Sequence, residues 1–511
     1  MIPAIKAFIV AIAIICLAAG TSHGAVINVS PTDNYTKIEG ANPGDEVIIA
    51  PGTYAFRVYL TKQAGATNPI FIHAQNPTNP PVWDFGTNLV DNAPGSYTAG
   101  DRARGGWQFS GAQNYTLSGI VFRNCRNAAK DCGGIRYYET TSNLFIKNCY
   151  FISNDVGMTG GTQDSQATVE FCEFNANGNT NAPASAPTHN IYIYGGYLTM
   201  RYCFLHDSVQ GQNFHIRCRV ATLEYNWFAR AANYEGDLMS DDDFTSSGPY
   251  SQTLILRGNV IVQNSSPGNH SQVIAIFNDE STPNLTMNVQ VLYNTFVGAY
   301  GSSQFVHLSN ADGTPMNAQI SDNIIYDTTV PYYIESAPAG SASGVNNWMP
   351  MNATPGTLSN SVQTAAPGFL NPAAKDYHLA AGSACIGQAN PSVYGLPGKE
   401  YFYNEATNLM WRPRAAARDI GAFESASTNK PVGPYDAFAQ PALNVTLPSG
   451  LTNALLSWPL FAQDFQLMET SALTSPWSAA AAAYSTNASN VNATVEINSS
   501  AQFLRLQNSE Q

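Results

Sequence analysis

The stretch "LFIKNCYF", Leu144–Phe151, carries the pattern that decides the fold of this chain. Apolar Ile146 lies three residues before Cys149, and apolar Phe151 lies two residues after it. A similar arrangement recurs in seven further segments: "IVFRNCRN" (Ile120–Asn127), "TVEFCEF" (Thr168–Phe174), "LTMRYCFL" (Leu198–Leu205), "TLEYNWF" (Thr222–Phe228), "LILRGNVI" (Leu254–Ile261), "VQVLYNTF" (Val289–Phe296) and "AQISDNII" (Ala318–Ile325). Such self-similarity is the signature of a repeat architecture.

The repeats align on one column of Cys and Asn residues spaced by 23 to 35 positions: Cys125, Cys149, Cys172, Cys203, Asn226, Asn259, Asn294 and Asn323. An apolar residue lies three positions before every member, and another lies two positions after seven of the eight, with Asn127 as the exception. This alternation predicts short strands with one buried face. A shortest period of 23 residues predicts the coils of a parallel β-helix. Stacked coils would place the Asn side chains in an inward ladder and bury the Cys side chains as small hydrophobes.

These repeats resemble those of the right-handed parallel β-helix proteins of the pectate-lyase-like superfamily. Two early segments, "PGDEVIIAPGTY" (Pro43–Tyr54) and "NPIFIHAQNP" (Asn68–Pro77), resemble the first coils of secreted β-helix polysaccharide lyases of the chondroitinase-B and alginate-lyase kind. Two late segments, "PGFLNPAAKDYHLAAGSACIGQA" (Pro367–Ala389) and "WRPRAAARDIGAFE" (Trp411–Glu424), resemble the closing segment of many bacterial β-helix proteins. The resemblance implies an all-β, right-handed parallel β-helix with a polysaccharide as its partner. The fold alone does not imply a reaction, because one fold hosts many functions.

The polar residues of the closing segment are interpreted as a structural cap over the end of the solenoid, since an open end exposes unpaired strand edges. They are Asp376, His378, Arg412, Asp419 and Glu424.

The two ends of the chain differ from the repeats. Lys6 followed by the apolar run Ala7–Ala19 predicts a signal peptide over residues 1–24, and hence a secreted protein, extracellular or periplasmic. That run is too short to span a bilayer, and no later segment is apolar enough to do so. Residues 25–424 are predicted to form the β-helix, 425–445 a linker, and 446–511 a small C-terminal β-sandwich-like module. Glycan binding and a passive appendage explain that module equally well.

The formal net charge of −13 excludes non-specific binding of nucleic acid. It would also repel a polyanionic glycan unless basic groups or bound cations act locally. Outside the leader the chain has seven cysteines, an odd number that argues against a fully paired disulfide framework. The chain is expected to act as a monomer.

Basic groups cluster in "GQNFHIRCRV", Gly211–Val220. Strand alternation predicts that Phe214, Ile216 and Cys218 point inward, so that His215, Arg217 and Arg219 point outward. Long insertions flank this coil, and insertions in solenoids gather on the binding face. The neighbouring strand "HNIYIY", His189–Tyr194, would present Tyr192 and Asn190 beside them.

This pattern predicts candidate roles for these residues, and for each residue an ordinary surface position is the alternative. The candidate catalytic residues are Tyr192, His215, Arg217 and Arg219, since an imidazole or phenol can move a proton and arginine's planar fork fits carboxylates. The candidate substrate-binding residues are His189, Asn190, Asn213 and Glu235. Carboxylates favour calcium as a cofactor, and the candidate ligands are Asp237, Asp241, Asp242 and Asp243.

Three functions are compatible with these residues. The first is a polysaccharide lyase that cleaves a uronate-containing glycan by β-elimination. The second is a glycoside hydrolase on the same scaffold, which needs two carboxylates flanking the scissile bond. The third is a glycan-binding or adhesive surface protein without catalysis.

Overall fold

The computed structural model describes residues 24–508, with gaps at 97–102, 185, 187, 242–247, 265–271, 279–283, 299–303, 311–314, 328–334, 337–341, 402–410, 416, 426–442, 447–452, 460–464, 472–475, 487–489 and 497–501. All but the last residue of the predicted signal peptide, and most of the predicted linker, therefore lie outside the described residues. The chain divides into two compact units, with the boundary between residues 431 and 432.

The larger unit is a parallel β-helix, as the repeats predicted, and it is right-handed, as the resemblance implied. Its described strands form three long parallel sheets, here called sheets A, B and C. Sheet A contains Val26–Val29, Glu46–Ile49, Ile70–Ala74, Gln113–Ser118, Ser142–Lys147, Gln166–Glu170, Tyr197–Arg201, Val220–Glu224, Tyr250–Arg257, Leu285–Leu292, Met316–Ser321, Ala342–Val345 and Leu358–Ser359. Sheet B contains Thr53–Tyr54, Val82–Asp84, Val121–Arg123, Tyr150–Ile152, Glu173–Asn175, Phe204–His206, Trp227–Ala229, Val260–Val262, Thr295–Gly298, Ile324–Asp327, Trp348–Pro350 and Val362–Thr364. Sheet C contains Val58–Leu60, Gly105–Ser110, Gly133–Tyr138, Val156–Gly160, Ile191–Tyr194, Phe214–Arg217, Gly236–Met239, Gln272–Asn278, Gln304–Asn310 and Glu335–Ser336.

Short helical segments interrupt the coils at Tyr35–Glu39, Val90–Asn92, Pro372–Ala374 and Pro391–Tyr394. In the first of them Ile38 is fully buried in the core, and the side chain of Asn34 accepts a hydrogen bond from the amide of Thr36 to begin the helix.

The predicted column lies at the corner where the chain passes from sheet A to sheet B. Asn226 donates from Nδ2 to Asn259 Oδ1 at 3.0 Å and also to the carbonyl of Met200. The same bonds repeat through Asn294 and Asn323, and the ladder extends one coil further than predicted, to Asn347. Each amide thus satisfies buried backbone groups that would otherwise be unpaired.

The cysteines extend this column toward the N-terminus as buried free thiols, and all seven described cysteines are unpaired with one another. Burial raises the pKa of Cys149 and of Cys172 well above the usual value, so these thiols are inert packing groups.

The alignment of Cys125 with Cys149 is wrong. Phe122 pairs in register with Phe151, so Ile120 occupies the position of Cys149, five residues before Cys125. Cys125 instead belongs to the corner between sheets B and C, where its amide donates to Asn154 Oδ1. The shifted alignment also explains why Asn127 broke the apolar pattern.

A second ladder of polar side chains fills this corner between sheets B and C. Its members are joined by side-chain hydrogen bonds of 2.6 to 2.8 Å, and they are Asn154, Asn177, Asn190, Asn213 and Glu235. The ladder fixes the start of the sheet C strands that carry the candidate site.

The closing segment covers the side of the solenoid. Tyr377 and Tyr401 pack against Trp227 on the outer face of sheet B, and Ala422 donates its amide to Thr295 Oγ1. Within the segment, strands Phe369–Asn371 and Asp376–Leu379 pair, as do Lys399–Tyr401 and Trp411–Pro413. The closing segment was predicted to cover the end of the solenoid. In its described part it covers an apolar lateral face, the outer face of sheet B.

The polar residues of the closing segment hold the segment together, as the structural interpretation expected. Arg412 Nε donates to the buried Glu400 at 2.7 Å, and Glu424 accepts the amides of Ala415 and Ala417. Asp419 accepts from the amides of residues 387 and 425, and Asp376 bonds to His378 Nδ1 at 2.7 Å.

The smaller unit contains two antiparallel sheets. One consists of Asn444–Thr446, Asn453–Pro459, Ala482–Thr486 and Asn490–Glu496, and the other of Phe465–Thr470, Ser478–Ala479 and Phe503–Asn508. Trp458 and Leu467, one from each sheet, are buried in a common apolar core. This is the predicted sandwich-like module, although its first described strand begins at Asn444, within the predicted linker. In the described part of the chain, no helix is long and apolar enough to cross a membrane.

Candidate functional site

The outer face of sheet C carries one continuous column in which every member but Ala275 is polar or aromatic. Parallel register places one residue of each coil in this column, which is here called the sheet C column: Tyr59, Gln108, Arg136, Thr159, Tyr192, His215, Asp237, Ala275 and His307. Neighbouring members lie one strand spacing apart, about 4.8 Å.

The central strands alternate as the sequence predicted. In Phe214–Arg217, Phe214 and Ile216 are fully buried in the core, while His215 and Arg217 stand on the opposite face. Arg217 is nevertheless 94% buried by its surroundings, with 6% of its surface exposed. The strand ends at Arg217, so Arg219 lies in the turn that leads to sheet A and is not part of the outward strand face. The predicted row of three basic groups is therefore a pair on the strand and a third in the turn.

His215 forms a hydrogen-bonded pair with an acid from the next coil. Its Nδ1 lies 2.9 Å from Oδ2 of Asp237, whose side chain is 2% exposed against 14% for His215. A carboxylate is an acceptor, so Nδ1 carries the hydrogen of a neutral His215 ring. The lone pair of Nε2 is then the basic site of the ring, held in a fixed orientation by Asp237.

Two aromatic rings enclose His215. Tyr192 meets it edge-on, with ring centroids 4.6 Å apart at 89°, and His189 stacks on it at 4.7 Å and 24°. The amide of Gln212 donates to Nδ1 of His189, so that ring is the neutral Nε2–H tautomer. Burial, together with the nearby His215, lowers the pKa of His189 to about 3. His189 is thus an uncharged wall of the site, with 3% of its surface exposed.

Three predicted contact residues face the interior. Asn190, Asn213 and Glu235 are each fully buried in the second ladder, so the expectation that they point outward to a ligand is wrong. The chain turns a corner just before each strand of sheet C, and strand alternation does not hold across a corner. Burial raises the pKa of Glu235 to about 8, which leaves it protonated at neutral pH.

The predicted calcium ligands are separated by the structure. Asp237 binds His215. Asp241 is fully buried, two residues after the end of the strand Gly236–Met239. Burial raises the pKa of Cys218, and the charge of Asp241 raises it further. Asp242 and Asp243 lie outside the described residues. Among the described residues, no group of three or more His, Cys, Asp or Glu side chains is arranged to hold a metal ion. The described acids therefore do not complete a calcium site, and calcium stays a prediction.

The sequence reasoning missed the N-terminal half of the sheet C column. Arg136 pairs in register with Thr159, and Gln108 and Tyr59 continue the column beyond it. The repeat is harder to recognise in the coils that contain these residues. Aligning Cys125 with Cys149 gave the wrong register for them. Counting from Phe122 as the equivalent of Phe151 would have revealed them.

Comparison with solved structures finds several carbohydrate-active enzymes at low sequence identity. A pectate lyase, Pel9A, is 16% identical with a TM-score of 0.49, over 80% of this chain and 98% of that one. A PL6 family polysaccharide lyase, Pedsa3628 from Pseudopedobacter saltans, is 12% identical with a TM-score of 0.32, over 78% and 99%. A GH136 lacto-N-biosidase from Eubacterium ramulus is 12% identical with a TM-score of 0.36, over 68% of each chain.

No family model and no curated protein matches the chain. At these identities and TM-scores the likeness assigns neither a reaction nor a substrate to this chain.

Proposed function

We propose that this protein is a polysaccharide lyase that cleaves a uronate-containing glycan by β-elimination. One observation carries the proposal: His215, oriented through Nδ1 by the buried Asp237, stands two residues from Arg217 on one outward strand face. An oriented base beside a guanidinium is the pair that elimination next to a carboxylate requires.

The proton transfer begins at His215. Nε2 takes the proton from the sugar carbon that bears the carboxylate, and the C–H electrons move toward that carboxylate. Asp237 stabilises the imidazolium that forms, because its carboxylate accepts the Nδ1 hydrogen throughout.

The leaving group departs in the second half of the reaction. The enolate-like electrons form a carbon–carbon double bond, and the bond from the neighbouring carbon to the glycosidic oxygen breaks. Tyr192 packs edge-on against His215, and its phenol supplies the proton that this oxygen needs. The proton held by His215 then restores Tyr192, so the enzyme returns to its starting state.

Arg217 neutralises the substrate carboxylate. That charge grows as the proton leaves, and a positive group fixed beforehand stabilises it without reorganisation. Residues 148–374 contain no lysine, and Arg217 is the one arginine within the central strands of sheet C, Val156–Gly160, Ile191–Tyr194, Phe214–Arg217 and Gly236–Met239. If calcium binds, it would add positive charge beside the same carboxylate.

Hydrolysis by two carboxylates is disfavoured on these strands. In Val156–Gly160, Ile191–Tyr194, Phe214–Arg217 and Gly236–Met239 the one acidic residue is Asp237, which is committed to His215. Glu235 lies behind the strands in the second ladder. Inverting and retaining hydrolases both need a second carboxylate across the scissile bond.

The test is an activity panel with the purified protein on alginate, pectate, chondroitin and heparin. Elimination creates an unsaturated sugar end, so ultraviolet absorbance should rise with at least one of these polymers. New reducing ends without absorbance would mean hydrolysis, and binding without any product would mean a glycan-binding protein. Arg217→Ala should abolish the absorbance signal, whereas a hydrolase would keep much of its activity.

A further inference from the structure

We propose that Arg136 forms a second carboxylate-binding subsite, three coils from His215, which makes the protein selective for glycans with runs of uronate residues. This inference rests on the proposed function and extends it to the chemical class of the polymer. It assigns a role to the half of the sheet C column that carries no catalytic group.

Register fixes the position of Arg136 relative to the reacting centre. Arg136 pairs with Thr159, Thr159 with Tyr192, and Tyr192 with His215. Three strand spacings separate Arg136 from His215 along one column, about 14 Å in all. An extended glycan lying along the column advances by a similar step for each sugar. A polymer with its reacting sugar at His215 therefore places another sugar, about three residues away, over Arg136.

Within the described residues Arg136 forms no ion pair, and its guanidinium lies over the ring of Tyr138 at 4.4 Å from the centroid. The acid that follows in sequence, Glu139, accepts a hydrogen bond from Ser110 Oγ instead. Arg123 and Arg201, in contrast, each contact an aspartate or glutamate. A half-buried arginine that has no acidic partner among the described residues, in a chain of net charge −13, is suited to an anionic ligand.

Aromatic rings beside Arg136 suit the rest of a sugar. Tyr138 and Tyr59 approach through their hydroxyls at 3.4 Å, and both rings are partly exposed on the outer face of sheet C. Aromatic faces pack against the apolar side of a sugar ring, and phenol hydroxyls bond its polar edge. Arg136, Tyr138 and Tyr59 together offer one carboxylate contact and one stacking surface. That combination fits a uronate and fits a neutral sugar less well.

The experiment compares elimination kinetics of the wild-type protein and Arg136→Ala on two substrates. One is a long oligouronate that reaches four coils or more, and the other is a short one that reaches two at most. We expect KM for the long substrate to rise about 10-fold, because a charge-assisted contact outside the reacting centre is lost. The kcat for the long substrate, and both constants for the short substrate, should stay unchanged. Arg136→Lys should recover part of the affinity.

Arg123→Ala is the matched control, because it removes an exposed arginine on sheet B. It should change neither KM nor kcat for either substrate. An equal effect of Arg136→Ala on long and short substrates, or no effect on either, would overturn the subsite.

Failure of the proposed function would look different, since the wild-type protein would then produce no unsaturated ends from any substrate. In that case equilibrium binding of polyuronate to the wild-type protein and to Arg136→Ala tests the subsite directly. Equal affinities would reject it.

Discussion

The outer faces of sheets A and C share one strand spacing but arrange charge in opposite ways. On sheet A, one column reads Lys147, Glu170, Arg201, Glu224 and Arg257, with the sign alternating from coil to coil. Lys147 and Arg201 both contact Glu170, at 3.1 and 2.6 Å, and Arg257 contacts Glu224. The sheet C column has no such alternation. It has Arg136 three coils from a single His215–Asp237 pair.

The difference separates a structural seam from a binding surface. Each charge on the sheet A column has an opposite charge one coil away, so the column needs no ligand. Sheet A even contains its own histidine–carboxylate pair, His73 Nε2 and Glu46 Oε1 at 2.9 Å. That pair has no arginine two residues further along the strand, where His215 has Arg217. The pair on sheet A and the pair on sheet C therefore make a controlled comparison.

Removal of His215 should have the largest effect. His215→Ala should lower kcat for elimination by about 10³-fold, because the base is lost, and a thermal melt checks that the variant is folded. His73→Ala removes the matching histidine from sheet A and should leave kcat unchanged. A similar loss of activity from both variants would mean that the two faces do not differ in function.

Asp237→Asn should lower kcat by about 10²-fold. The amide can no longer stabilise the imidazolium and no longer fixes the tautomer of His215. The counterpart on sheet A, Glu46→Gln, should have no effect on turnover. Steady-state kinetics of both variants, with thermal melts to confirm folding, test this contrast.

Glu235→Gln should change how stability depends on pH. The folded protein holds the Glu235 proton up to about pH 8, whereas the unfolded chain releases it near the usual glutamate value. Wild-type stability should therefore fall as pH rises from about 4.5 to about 8. The variant keeps an acceptor for Asn213 and lacks this fall, so it should be more stable near pH 8 by on the order of 3 kcal/mol.

Denaturant unfolding at several pH values measures this difference. Glu139→Gln, at an exposed position, serves as the control and should follow the wild-type pH dependence. Parallel curves for the wild-type protein and Glu235→Gln would contradict the assignment of the buried proton to Glu235.

Glu170→Gln should cost about 2 kcal/mol of unfolding free energy and leave elimination intact. Lys147 and Arg201 would both lose the negative charge that they share at a largely buried position. Lys147→Met should cost less, because Glu170 keeps Arg201. If Glu170→Gln lost activity and kept its stability, the assignment of a structural role to sheet A would be contradicted.

The repeats were readable because they are short-range patterns. Ile146, Cys149 and Phe151 alternate within one corner and its strands, so period-two reasoning applied and the parallel β-helix followed. The same reasoning failed at Cys125, because two different corners of the coil have similar sequences. The register between coils decides which corner a residue occupies. It failed at Asn190 and Asn213 because alternation breaks where the backbone bends into sheet C.

The sequence by itself determined the coil, the inward asparagine ladder, the outward orientation of His215 and Arg217, and the separate C-terminal module. Each of these depends on residues close together in the chain, where strand geometry leaves one choice. Only the tertiary structure decided that Asp237 meets His215, that Arg136 shares their column, and that the closing segment covers sheet B. Those contacts join residues from different coils or distant segments. Insertions of variable length between coils hide their register, and stacking alone brings them together.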